Sequence, residues 1–224
     1  HARAVPTQRA HALRSLSLLL QLSDSALPTG GFSHSFGFEQ YIDRGDIHDA
    51  DTFSAWVRAY VATQLTYNDA LLMRLLYEGH DEGDLADRAL AATLPAQVRA
   101  ADVAMAKRIR MIATDALGVP PCEWDYAHPA LEFARVTRHF GVPLDDAVTA
   151  HLTGAVSTLT QNAVRGIPIG QSDGQRIITS AHPWIEAARA EVHLLDPHDL
   201  GVVAPGLEIA QMQHERLRAR MFMS

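Results

Sequence analysis

The sequence predicts an all-α fold, a single-domain helical bundle of about eight to ten helices. Apolar residues recur at helical spacing, as in Phe53, Trp56, Val57, Tyr60 and Val61. The same period runs through Leu144, Ala147, Val148, His151, Leu152, Ala155, Val156 and Leu159. No segment sustains strand alternation, and the nearest hairpin signal, Asp173-Gly174, has an apolar flank on one side only, Ile177-Ile178. Gly and Pro fall where helices would end.

Taken in order, residues 1–11 are small and polar and read as a flexible N-terminal tail ahead of a helical domain, 12–210. A first helix over 13–23 carries a buried apolar run. Asp24, Ser25, Pro28, Gly30 and Gly31 then break it, because Pro lacks an N–H and Gly takes positive φ, which Gly31 is expected to need. Ser33 or His34 can open the second helix, roughly 35–44, with Phe32 and Phe36 spaced i, i+4 on one face, and Gly45 stops it. Asp49 or Asp51 caps a third, running through Tyr67-Asn68-Asp69 to Gly79. An acidic helix or turn follows over 81–94, then a long helix from Pro95 to Gly118. Val119-Pro120-Pro121, with Trp124 and Tyr126, is irregular. His128-Pro129 opens a helix with Phe133, Val136, Thr137 and Phe140 on one face. Pro143 suits the first turn of the most regular helix. A second corner, Gly166-Ile167-Pro168-Ile169-Gly170, leads to a helix ending near Leu195 and a last one from Leu207.

Composition limits the function classes. A length of 224 residues suits one large domain or two small ones. The net charge of −7 gives no support to nucleic-acid binding. One cysteine, Cys122, excludes a disulfide framework and a Cys-based zinc site. No run approaches the ~18–20 apolar residues of a membrane span, so a soluble, cytoplasmic protein is expected. No two of the 12 His are three or four residues apart, the spacing that puts two ligands on one helix face. His80 reads as part of a solvated turn and His151 as a core residue. No metal, cofactor or catalytic residue is expected. Gly30-Gly31 lacks the Lys of a phosphate loop, and Ser33, His34 and Ser35 lie outside any G-x-S-x-G elbow.

Three blocks stand out: QLSDSALPTGGFSHSFGFE at 21–39, NAVRGIPIGQSDGQ at 162–175 and MQHE at 212–215. In content and order they resemble the urease accessory protein F (UreF) family, and the likeness spans nearly the whole chain. The resemblance implies a non-enzymatic helical scaffold that helps insert nickel into urease. It implies a homodimer bridging urease accessory protein D (H in some species) and the nickel-binding GTPase, accessory protein G, and coupling GTP hydrolysis to nickel delivery to apo-urease. Partner-binding residues carried over are Gln21, Asp24, Ser25, Pro28, Gly30, Gly31, Phe32, Ser33, His34, Ser35 and Glu39 in the first block. Arg165, Pro168, Gly170, Gln171 and Gln175 follow in the second, and Gln213, His214, Glu215, Arg220 and Phe222 in the tail, 211–224. The chain departs from the family at Asp102 and Ala106, where Ser and Gly are common, and at Arg218, where an aromatic is common. The alternatives are a nickel-binding chaperone using some of the His, and a helical hydrolase using His34 with Ser33 or Ser35.

The tail pairs Arg216, Arg218 and Arg220 with Met221, Phe222 and Met223, which nothing later in the sequence covers. It is expected to be mobile alone and ordered on binding. Removing 217–224 should then leave stability unchanged.

Overall fold

Helix α3 (Ala50–Tyr60) shows how the sequence sets the architecture. Asp49 caps it: its carboxylate accepts from Thr52 N–H at 2.8 Å, while the Thr52 hydroxyl accepts from Asp49 N–H at 3.1 Å. Its apolar face buries Phe53, Val57 and Tyr60, with Trp56 stacked on both aromatic rings. The computed structural model describes residues 8–24, 27–122, 128–201 and 203–224. Around α3 stand α1 (Gln8–Ser23), α2 (Phe38–Asp43), α4 (Leu71–Tyr77), α5 (Glu82–Ala92) and α6 (Ala96–Asp115). The remaining helices are α7 (Pro129–His139), α8 (Leu144–Gly166), α9 (Gln171–Val192) and α10 (Pro205–Gln213). Among the described residues there is no strand, so the all-α expectation holds.

Several ends follow from local chemistry. Asp81 accepts from Asp84 N–H at the start of α5, and His128 Nδ1 accepts from Ala130 N–H at the start of α7, with Pro129 in its first turn. α8 packs against α9, and both pack against the segment joining α3 to α4. Asp145, at the start of α8, also meets Arg189 and His193 near the end of α9, each at 2.7 Å.

Several details differ from the sequence reading. α1 begins at Gln8, inside the stretch read as a tail. The second helix starts only at Phe38, because Gly37 has a φ of 103° and interrupts any helix begun at Ser35. Phe32 therefore sits in a separate single turn, Gly31–Ser33, and shares no helix with Phe36. Phe140 is 39% exposed rather than fully on the buried face, while Ile177 and Ile178 lie in the helix expected after the second corner. The largest difference is at Val61–Ala70, where the helix widens to π geometry for ten residues. There Thr66 Oγ1 donates to Val61 O, five residues back, at 2.6 Å. Such segments are ordinarily single turns and are frequent at functional sites. Trp124 and Tyr126 lie outside the described residues.

Candidate functional site

The first sequence block and the two blocks towards the other end of the chain meet at one place. Asn162, buried on α8, donates to Gly31 O at 3.1 Å and His34 O at 2.8 Å. Arg165 donates to Asn162 Oδ1 at 2.8 Å and to Phe32 O, and its guanidinium lies 5.4 Å over the Phe222 ring. The last residues run along the first corner: Met223 N–H donates to Ser33 O at 2.8 Å. Ser224 O accepts from Ser35 N–H at 2.6 Å, Phe36 N–H at 3.2 Å and Ser35 Oγ at 2.7 Å. Gln211, on α10, closes the other side by donating to Phe36 O at 2.9 Å. These bonds satisfy the main chain of an irregular buried segment, which otherwise has no partner within a helix.

Glu39 is the buried centre of this junction. One carboxylate oxygen accepts from Met221 N–H at 2.6 Å. The other accepts from His214 Nε2 at 2.6 Å and from Phe222 N–H at 3.3 Å. His214 is fully buried, with Nδ1 at 2.9 Å from Gln97 Oε1 on α6. One carboxylate thus ties α2, α10, α6 and the terminal stretch together. A buried charge is tolerable only with this degree of hydrogen bonding.

The expected site residues divide accordingly. Gly30, Gly31, His34, Ser35, Glu39, His214 and Phe222 are buried and act within the chain. Gln21, Asp24, Pro28, Phe32, Arg165, Pro168, Gly170, Gln171, Gln175, Gln213, Glu215 and Arg220 are exposed, and Ser33 is half-buried. Ser25 lies outside the described residues. Gln213 accepts from Arg44 at the edge of the junction. Phe32, 64% exposed, is the most prominent apolar group of the first corner. The expectation of a tail with no cover in its own chain is corrected for Phe222. It packs edge-on against Phe38 at 5.2 Å, because the corner leaves an aromatic slot open beside α2. Met221 and Met223 do stay exposed.

Positive φ falls at Gly30, 85°, rather than at Gly31, which is buried and where a Cβ would meet Thr158 Cγ2 at 3.2 Å. At Gly37 a Cβ would stand 2.9 Å from Gln211 Cγ and 3.1 Å from Leu207 Cδ1. Gly37→Ala should therefore destabilise the protein by at least the ~1–2 kcal/mol of a left-handed non-glycine residue. A thermal melt checks this; an unchanged midpoint would mean that the corner adjusts freely.

His34 faces Ser224 Oγ at 2.8 Å and neither Ser33 nor Ser35. Burial, with Arg108 nearby, lowers its pKa and keeps the ring neutral. Among the described residues no three His, Cys, Asp or Glu side chains are grouped to hold a metal ion. No helix described is long and apolar enough to cross a membrane. Beside the junction lies a cavity of about 440 Å³ between the first corner, the π segment and α6, α7 and α8. Sequence reasoning missed its polar groups, Asp69, Asp102, His128 and His151, because they come from four separate segments. The one available signal was Asp102, a departure from the family pattern.

The UreF family model matches residues 47–182. The chain belongs to the UreF family. Urease accessory protein UreF of Paenarthrobacter aurescens (strain TC1) is 48% identical over 218 residues, covering 92% of this chain and 96% of its own length. That of Arthrobacter sp. (strain FB24) is 47% identical over 215 residues, with the same coverage. The relative from Geobacillus kaustophilus (strain HTA426) is 41% identical over 222 residues, covering 94% of this chain and 99% of itself. These UreF relatives carry the name of an accessory protein, not of an enzyme.

Proposed function

We propose that this protein acts in urease maturation as a non-enzymatic scaffold, using the surface around the first corner to recruit partners. The supporting observation is the convergence of three distant blocks on one junction, whose interior is hydrogen-bonded and whose rim stays open. A buried hub fixes the shape, and exposed Phe32, Arg165, Gln171, Gln175 and Arg220 are left to meet a partner. Aromatic and Arg side chains of this kind supply most of the binding energy at protein interfaces. In this reading the protein is a cytoplasmic homodimer that joins accessory protein D (H) to the GTPase, accessory protein G. Nickel insertion into apo-urease is then coupled to the partner's GTP hydrolysis, and the chemistry belongs to that partner. The hydrolase alternative gains nothing from His34, which points at Ser224 with no carboxylate to orient it among the described residues.

The test is co-purification of full-length protein with the D and G proteins, alongside urease activation. Phe32→Asp should leave the melting temperature unchanged and weaken D-protein capture by at least the ~30-fold of a ~2 kcal/mol interface residue. Unchanged capture and full activation by this variant would count against the first corner as the docking surface.

A further inference from the structure

We propose that the cavity beside the first corner is a binding site for a small organic cation, an alkylammonium or alkylguanidinium. Its charged head would be taken by Asp102 and Asp69, and its apolar tail would lie along Leu65, Met105 and Ile109. Nothing in this site depends on the maturation role proposed above.

The carboxyl of Asp102 carries most of the weight. It projects from α6, its residue is 6% exposed, and it lines the cavity. Among the described residues it receives no hydrogen bond; His128 Nε2 stands 3.9 Å away, beyond bonding distance. His128 is no counter-charge either. Its Nδ1 accepts from Ala130 N–H, which leaves the single ring proton on Nε2, and burial disfavours a second one. Asp69, on the π segment, already has a partner in His151 Nε2 at 2.7 Å. Its negative charge, added to burial, pushes the Asp102 carboxyl well above the usual carboxylate range. A buried acid aimed into a cavity without a donor calls for an explanation, and a cationic ligand supplies one. None of the described lining residues is Lys or Arg.

Shape separates an organic cation from a bare ion. The cavity, about 440 Å³, is the size of small-molecule sites, with mostly apolar walls and few polar groups. The Asp and His groups form two separate pairs, not one coordination sphere. Phe133, its ring 5.2 Å from His151, adds an aromatic face on which a cation is favoured. Gly154 also lines the cavity, in the interior of α8, where glycine is unfavourable relative to alanine. A Cβ there would meet nothing within 4 Å, so this residue holds space open.

Calorimetry and NMR titration of the full chain, at matched ionic strength, test this with n-butylammonium, n-butylguanidinium, neutral n-butanol and Ni²⁺. Either organic cation should bind at least tenfold more tightly than butanol. Asp102→Asn should weaken that binding at least tenfold, because the amide cannot release a proton to become the anion that pairs with the cation, and it should not lower the melting temperature, since it resembles the protonated acid of the free protein. Gly154→Leu should fill the space and abolish binding, and it decides the matter should Asp102→Asn fail to fold. Equal binding of butanol and the cations overturns the proposal, as does cation binding that survives Gly154→Leu. Binding of Ni²⁺ alone, lost in Asp102→Asn, also overturns it.

Discussion

Glu39→Ala should destabilise the protein by about 3–5 kcal/mol, the cost of leaving several buried donors without their acceptor. The carboxylate has three donors: His214 Nε2, Met221 N–H and Phe222 N–H. Alanine accepts from none, so a fully buried imidazole and a buried main-chain N–H lose their partner together. At this chain length the melting point should fall by roughly 6–20 °C. Glu39→Gln isolates charge and polarity from size. Its amide keeps one acceptor oxygen but turns an NH₂ toward an incoming donor, so it should fall between wild type and alanine. Thermal melts of the three proteins under one buffer condition check the order. Equal midpoints would show that the terminal stretch is not held by this carboxylate.

Legibility in the sequence tracks how local the physics is. The third helix was readable because its face repeats at helical spacing and Asp49 caps it through a residue three positions on. The caps at Asp81 and His128 are equally local. The π segment was not readable, since Val61–Ala70 keeps helix-forming residues throughout and the widening is settled by packing against α8 and α9. At the first corner, a density of Phe, Gly and His signalled close packing. The identity of the covering element was hidden, because it arrives from almost the far end of the sequence. The Gly pair alone suggests positive φ at Gly31, whereas Gly30, Gly37 and Phe36 are the residues of this corner that adopt it. The Glu39–His214 pair was present in the two blocks only as residues to be carried over. Its meaning as a structural tie required the fold.

The terminal stretch gives the sharpest reversal of a sequence expectation. Phe222 is 5% exposed and closes an aromatic cluster: it meets Phe38, which meets Phe53 at 5.5 Å and Trp56 at 5.9 Å, all edge-on. Phe222→Ala should therefore cost about 3–5 kcal/mol, as for other buried Phe truncations. Deleting 217–224 should cost at least as much, because it also removes the Ser224 oxygen that three donors of Ser35 and Phe36 share. Met221 and Met223 are 59% and 68% exposed, so alanine at either should change stability by no more than about 0.5 kcal/mol. Circular dichroism melts of the four variants give the comparison directly. A truncated chain melting with the wild type would return the tail to its first reading, a segment ordered only by a partner. A large loss confined to Phe222→Ala and the truncation makes the segment part of the protein's own core. Loss of partner binding in the truncated chain would then report an altered corner as much as missing contacts. The exposed methionines and Phe32 are consequently the positions where recruitment can be separated from folding.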